Sequence, residues 1–206
     1  MSLVFYTNPM SRGRIVRWML EEIGHPYETK IISYGPEMKS PAYLALNPMG
    51  KVPTLTHGDA VITETAAIIA YLADAFPESG LAPEPGTPAR GAYYRWLFFG
   101  AGPYEAAVTN NQLKVELPPE RAGFVGYGSY AKVLDVLEAA LSASPYLLGD
   151  SFSAADVYIG AQIGFGLRFG SIESRPAFHA YYERLSVRPA ALRAAAIDDA
   201  LLAPKG

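Results

Sequence analysis

The chain of 206 residues contains no cysteine. That absence removes disulfides, thiolate metal sites and a cysteine nucleophile together, since each needs a thiol of the protein's own. Histidine is scarce too. His25, His57 and His179 stand far apart at no metal-binding spacing, so each is expected in a turn or at the surface, and no metal is expected. There is no strong excess of either charge: 17 basic residues are scattered among 20 acidic ones, for a net charge of −3. This argues against a nucleic-acid or membrane-surface partner. No apolar run reaches transmembrane length, and Met1-Ser2-Leu3-Val4-Phe5 lacks the charged start and small-residue cleavage site of a signal peptide, so a cytoplasmic location is expected. Apolar material is plentiful. Hydrophobic residues make up 50% of the chain, enough for the core of one large domain or two modest ones.

The most informative stretch runs from Asn47 to Leu72, NPMGKVPTLTHGDAVITETAAIIAYL. Asn47-Pro48-Met49-Gly50 is a turn cluster, and Val52–Thr56 is a short strand whose Pro53 cannot donate to a ladder and therefore belongs at the strand start or on an edge. His57-Gly58-Asp59 connects it to a second strand, Ala60-Val61-Ile62, close enough to pair as a hairpin. Thr63-Glu64-Thr65 then opens a helix with Ile68, Ile69, Leu72, Ala73 and Phe76 on one face. A strand start with unused backbone groups beside a helix start with free N–H groups would suit a small anionic peptide. A plain hairpin followed by a capped helix is the commoner meaning of such a run.

Upstream, Leu3–Tyr6 suits a buried strand, and a helix is expected over 12–23 with Ile15, Val16, Met19, Leu20 and Ile23 buried and Gly24 as its stop. Ser11 stands at the N-cap position, with Met10 placed to staple against Ile15. Arg12 and Arg14 in the first turn oppose the helix dipole, and no acidic residue there offsets them. Together they suit a bound anion; taken alone, a capping serine with two solvated arginines is the simpler reading. Tyr27–Ser33 reads as a strand and Lys39–Leu46 as a short helix. The alternation of strands and helices describes an α/β unit.

Pro77–Pro88, PESGLAPEPGTP, has no periodicity and reads as a linker, beyond which only helical patterns follow. The expected division is 1–77, a linker at 78–88, and an all-helical domain at 89–206. A long aromatic-rich helix over 89–111 is interrupted at Gly100-Ala101-Gly102-Pro103. Its cluster, including Phe99 and Tyr104, fits an apolar pocket wall and fits a core or dimer face equally well. Tyr130–Leu141 is amphipathic. Ser153 and Asp156 form a capping box, a structural role rather than a catalytic one, and the alanine-rich Ala190–Leu202 is expected to pack across the helical bundle or fray.

The segment NPMGKVPTLTHGDAVITETAAIIAYLADAF resembles the central motif of the cytosolic glutathione transferases. The resemblance implies an N-terminal thioredoxin-like domain followed by an all-helical C-terminal domain. It also implies a homodimer, with glutathione as cosubstrate and a small hydrophobic electrophile as its partner. By that resemblance Val52-Pro53 would be a dipeptide with a cis bond pairing with the cysteinyl part of glutathione, Glu64 and Thr65 would hold its γ-glutamyl group, and Lys51 would face its glycyl carboxylate. A cis X-Pro bond is the minority isomer, so this expectation comes from the resemblance alone. Ser11-Arg12-Gly13-Arg14 occupies the position of the thiolate-stabilising residue. Ser11 is the expected hydroxyl donor, with Arg14 or Arg12 assisting and Tyr6 as the other hydroxyl in range. The Arg-Gly-Arg string resembles tyrosine-using classes, in which the tyrosine stands two residues nearer to it than Tyr6 does. Phe99 and Tyr104 would line the cosubstrate pocket. A non-catalytic interaction module of the same fold is the alternative, although such a module has no physical need to hold Ser11, Glu64 and Thr65 together.

Overall fold

A computed structural model describes residues 2–202. The chain forms two compact units: one runs to Ser79 and resumes at Val187, and the other spans Gly80–Ser186.

The first unit is built on a four-stranded mixed sheet. Its strands β1 (Leu3–Thr7), β2 (Glu28–Ile31), β3 (Thr54–His57) and β4 (Ala60–Thr63) lie in the order β2-β1-β3-β4. β1 pairs parallel with β2 and antiparallel with β3, and β3 pairs antiparallel with β4. Strand alternation divides β1 between the two faces. Phe5, fully buried opposite Leu55, faces helix α1 (Gly13–Ile23) and lies under the Arg17 guanidinium. Tyr6 faces the other way, toward the short helix α2 (Pro41–Leu44), where it meets Tyr43 in a cluster with Ile32 and Met38. Helix α3 (Thr65–Ala75) follows β4 and buries Ile68, Ile69, Leu72 and Ala73, the expected face.

Helix α1 departs from a simple amphipathic stripe because Arg17 and Trp18 are buried along with Ile15, Val16, Met19 and Leu20. The cause is the last helix, α9 (Pro189–Ala200), which packs along α1. The tail expected to lie with the helical domain therefore belongs with the sheet. Ion pairs fix it there: Arg14 with Asp199, Arg17 with Asp198, Arg188 with Glu22 and Arg193 with Glu21. Met10, expected to staple against Ile15, is instead 74% exposed.

The second unit is helical: α4 (Pro88–Phe99), a π-helical turn (Gly100–Tyr104), α5 (Glu105–Gln112), α6 (Tyr130–Ala143), α7 (Ala154–Phe169) and α8 (Pro176–Ser186). The π turn takes up Pro103 inside the helix by admitting an extra residue, which is how an interior proline is carried without a break. α7 is the central element, with Ala154, Ala155, Val157, Ile159 and Ile163 fully buried. Its start is the predicted capping box. Asp156 accepts from the Ser153 N–H and hydroxyl, the Leu147 N–H and the Tyr181 hydroxyl at 2.7–2.9 Å, so every donor near this buried carboxylate is matched. Burial pushes its pKa up while these hydrogen bonds pull it down. Its role is structural.

Candidate active site

The sheet registers bring three distant segments to one end of the first unit. Tyr6 pairs with Thr54, and Thr54 pairs with Thr63. The end of β1, the start of β3 and the end of β4 are therefore level. The loop carrying Ser11 leaves from the first, Val52-Pro53 arrives at the second, and Glu64-Thr65 departs from the third. Sequence separation hides this proximity; the ladder creates it.

Each segment has its own local logic. The Val52–Pro53 bond is cis. The ladder begins only at Thr54, so the Val52 N–H and C=O lie beyond it, while the Val52 side chain packs on the Tyr43 cluster. The preceding turn is held from within. The Lys51 carbonyl accepts from the Tyr43 hydroxyl at 2.6 Å and from Asn47 Nδ2 at 2.8 Å. Lys39 Nζ ties down the carbonyls of Met49 and Gly50. Sequence reasoning assigned neither Asn47 nor Lys39 to this task. Asn47 carried a signal, an Asn opening a turn, but nothing marked Lys39. The Lys51 side chain itself is exposed.

Glu64 is the N-cap of α3, with φ 67° and ψ 121° and no side-chain cap hydrogen bond. A non-glycine residue at positive φ is strained, and such strain concentrates where a ligand is held. The Glu64 side chain therefore caps none of the first N–H groups of α3, and Thr65 stands at the first helical position.

Ser11 Oγ accepts from the Gly13 N–H at 2.9 Å and donates to the Asn8 carbonyl at 2.7 Å. α1 starts at Gly13 with Arg12, not Ser11, as its N-cap residue, yet Ser11 supplies the oxygen that its first N–H uses. Gly13 is obligatory here, since a side chain would overlap Thr7 Oγ1. Asn8 anchors the loop by donating to the Ile32 carbonyl at 3.0 Å. Arg14 is not free to approach an anion: its Nε donates to the Pro9 carbonyl at 2.7 Å and its NH2 pairs with Asp199. Tyr6 is turned to the opposite face of the sheet from α1, against Tyr43 and beneath Lys30.

In the helical unit, Phe99 is half-buried and packs edge-on against Trp96 at 5.4 Å. Tyr104 is 2% exposed and donates to the Gln162 carbonyl, so it belongs to the core and is not an open wall. Among the described residues no group of His, Asp and Glu could hold a metal ion.

Comparison with known proteins decides the family. The glutathione S-transferase N-terminal domain matches residues 10–75, and the corresponding C-terminal domain matches residues 105–184. The chain is 32% identical over 204 residues to glutathione S-transferase 1 of Zea mays, covering 90% of this chain and 94% of that one. It is 31% identical over 163 residues to glutathione S-transferase 3 of the same plant, covering 74% and 73%.

The chain belongs to the cytosolic glutathione transferases.

Solved structures agree. A glutathione transferase from Methylococcus capsulatus superposes with a TM-score of 0.79 at 31% identity, covering 96% of this chain and 99% of that one. A sphingomonad glutathione S-transferase complexed with glutathione gives 0.76 at 26% identity, covering 95% and 98%. The expected fold, a thioredoxin-like domain with a helical domain, is the one found, and the protein is a glutathione transferase enzyme of a family that uses glutathione as cosubstrate.

Proposed function

We propose that this transferase activates glutathione by stabilising its thiolate with Ser11. The observation that carries the reading is the levelling of the Ser11 loop, Val52 and the start of α3 at one end of the sheet. An extended tripeptide there pairs its cysteinyl main chain with the free groups of Val52. Its γ-glutamyl carboxylate meets the first N–H groups of α3 at Thr65 and its amino group meets Glu64, which matches charge to charge. Lys51 is the proposed partner of the glycyl carboxylate.

A free thiol of pKa about 8.5 is mostly protonated at neutral pH, and only the thiolate is a strong nucleophile. The Ser11 hydroxyl has one proton to give, now given to the Asn8 carbonyl. Rotating it toward the sulfur favours the charged form, and the Gly13 N–H donating to the same oxygen strengthens that donation. Ser11 is preferred to Tyr6 because Ser11 stands in the loop beyond the strand end, whereas Tyr6 lies within the strand with its ring packed against Tyr43 and beneath Lys30. The thiolate then attacks the electrophilic atom of a small apolar cosubstrate. Phe99 is the residue we retain for binding that cosubstrate. A cytoplasmic homodimer is the proposed state, with the exposed Tyr94 and Phe98, one turn apart on α4, available for the subunit contact.

Calorimetric titration of glutathione in two buffers of different ionisation enthalpy tests this. Proton release near neutral pH is expected in wild type and in Tyr6→Phe, and is expected to vanish in Ser11→Ala. Release that survives Ser11→Ala and vanishes in Tyr6→Phe would transfer the role to Tyr6.

A further inference from the structure

α1 and α9 are both charged against their own dipoles. α1 carries Arg14 and Arg17 toward its N-terminus and Glu21 and Glu22 in its last turn, and α9 repeats the pattern with Arg188 and Arg193, then Asp198 and Asp199. A cation at the positive end of a helix or an anion at its negative end is unfavourable to that helix taken alone. Neither helix gains from this arrangement by itself. Laid antiparallel, the two become complementary along their whole length, as the four ion pairs show.

The pairs differ in what they touch. Arg188 and Arg193 meet Glu22 and Glu21 at the end of α1 remote from Ser11. Arg17 and Asp198 form the interior anchor, with side chains only 1% and 2% exposed and Nε 2.8 Å from Oδ1. Arg17 NH1 also meets the Tyr27 hydroxyl and Thr29 Oγ1, so the anchor is tied to the region of β2. The residue after that anchor, Asp199, holds Arg14 NH2, and Arg14 Nε donates to the Pro9 carbonyl, two residues before Ser11. One guanidinium thus joins the C-terminal helix to the loop that presents the serine.

We propose that α9 is a positioning element of the thiol site: Asp199, set in place by the buried Arg17–Asp198 pair, orients Arg14, and Arg14 fixes the loop from which Ser11 donates. The proposal rests on the reading of Ser11 given above. It reassigns Arg14 from direct electrostatic assistance to positioning, because its charge is matched by Asp199 and its Nε is committed to a main-chain oxygen. An exposed ion pair contributes little to stability, so its loss should register in the geometry of the loop more than in folding.

The test compares wild type, Asp199→Asn, Arg193→Ala and Ser11→Ala. The thiolate of bound glutathione is followed by its ultraviolet absorbance against pH, with kcat and KM for glutathione measured against an aryl halide electrophile. Asp199→Asn is expected to raise the midpoint of thiol ionisation and lower kcat near neutral pH by roughly three- to tenfold, while KM stays within about twofold. Arg193→Ala, which breaks a pair at the far end, should titrate like wild type. The proposal is overturned if Asp199→Asn also titrates like wild type, or if Arg193→Ala shifts the midpoint equally, which would mean general loosening of α9. A midpoint unmoved by Ser11→Ala would overturn the serine reading itself, a separate result from a silent Asp199 in a protein where Ser11 matters.

Discussion

Glu64 shows what a single residue can reveal. Its side chain was recognisable in the sequence as the acidic member of an acid–hydroxyl pair, but its backbone conformation, φ 67° and ψ 121°, was not. L side chains avoid that region, and occupying it costs of order 1–3 kcal/mol. Glu64→Gly removes the strain and the carboxylate at once. Glycine at an ordinary position costs roughly 0.5–1 kcal/mol; here we expect stability unchanged or raised by up to about 1 kcal/mol, with glutathione affinity reduced. Urea unfolding together with glutathione calorimetry checks both halves, and a clear loss of stability would show that Glu64 is unstrained. The hydrogen bond of Ser11 to the start of α1 is legible for a different reason: its partners Gly13 and Asn8 are within three residues, although the N-cap position itself falls to Arg12. Tyr6 was not resolved in the same way, because which face of β1 receives α1 depends on elements far along the chain.

Among the elements, the interruption of the aromatic helix is legible in the sequence, since Pro103 has no N–H and its ring crowds the preceding turn. The form of the interruption, a π turn linking α4 to α5, depends on α7. The Gly100 carbonyl accepts from Gln162 Nε2 at 3.2 Å, and a Cβ at Gly100 would lie 2.8 Å from atoms of Tyr158, Ile159 and Gln162. Gly100→Ala is therefore expected to destabilise the protein by about 1–3 kcal/mol through overpacking, although alanine is the better helix former. Thermal unfolding decides the matter, and a rise in Tm would mean that α4 and α7 are free to separate. The same packing moved Tyr104 from expected pocket wall to core. An aromatic at a kink has no sequence signature that tells which of its neighbours will cover it.

At the scale of the whole molecule, the chain returns at Val187 to the unit it left at Ser79. The return brings a buried ion pair with it. Burial pushes the Asp198 carboxyl up, against the pull of Arg17, which lowers it. A carboxyl whose folded pKa lies above its unfolded value contributes stability at pH below the unfolded value and loses it as pH rises through the folded one. Asp198→Asn should therefore flatten the fall in stability over the interval from the ordinary carboxylate pKa to the raised one. Urea midpoints measured against pH for both proteins test it, and parallel curves would refute the shift. Arg17→Met near neutral pH leaves the buried Asp198 without the guanidinium that lowers its pKa and is expected to cost about 3–5 kcal/mol, whereas replacing both, Arg17→Met with Asp198→Leu, should cost much less.

The sequence by itself determined the strand and helix pattern of the first unit, the capping box of α7, the absence of thiol chemistry of the protein's own and, through one ordered string of residues, the family. These are properties of spacing, propensity and composition, which act over a few residues. Tertiary structure alone decided which segments are level at the end of the sheet, which way Tyr6 faces, that Tyr104 is enclosed, and that α9 lies on α1. Each of those depends on pairings between residues dozens to nearly two hundred positions apart. Arg14 at the start of α1 shows the division well. Read locally it opposes its helix, and Asp199 at the other end of the chain, brought beside it by folding, gives its charge a partner.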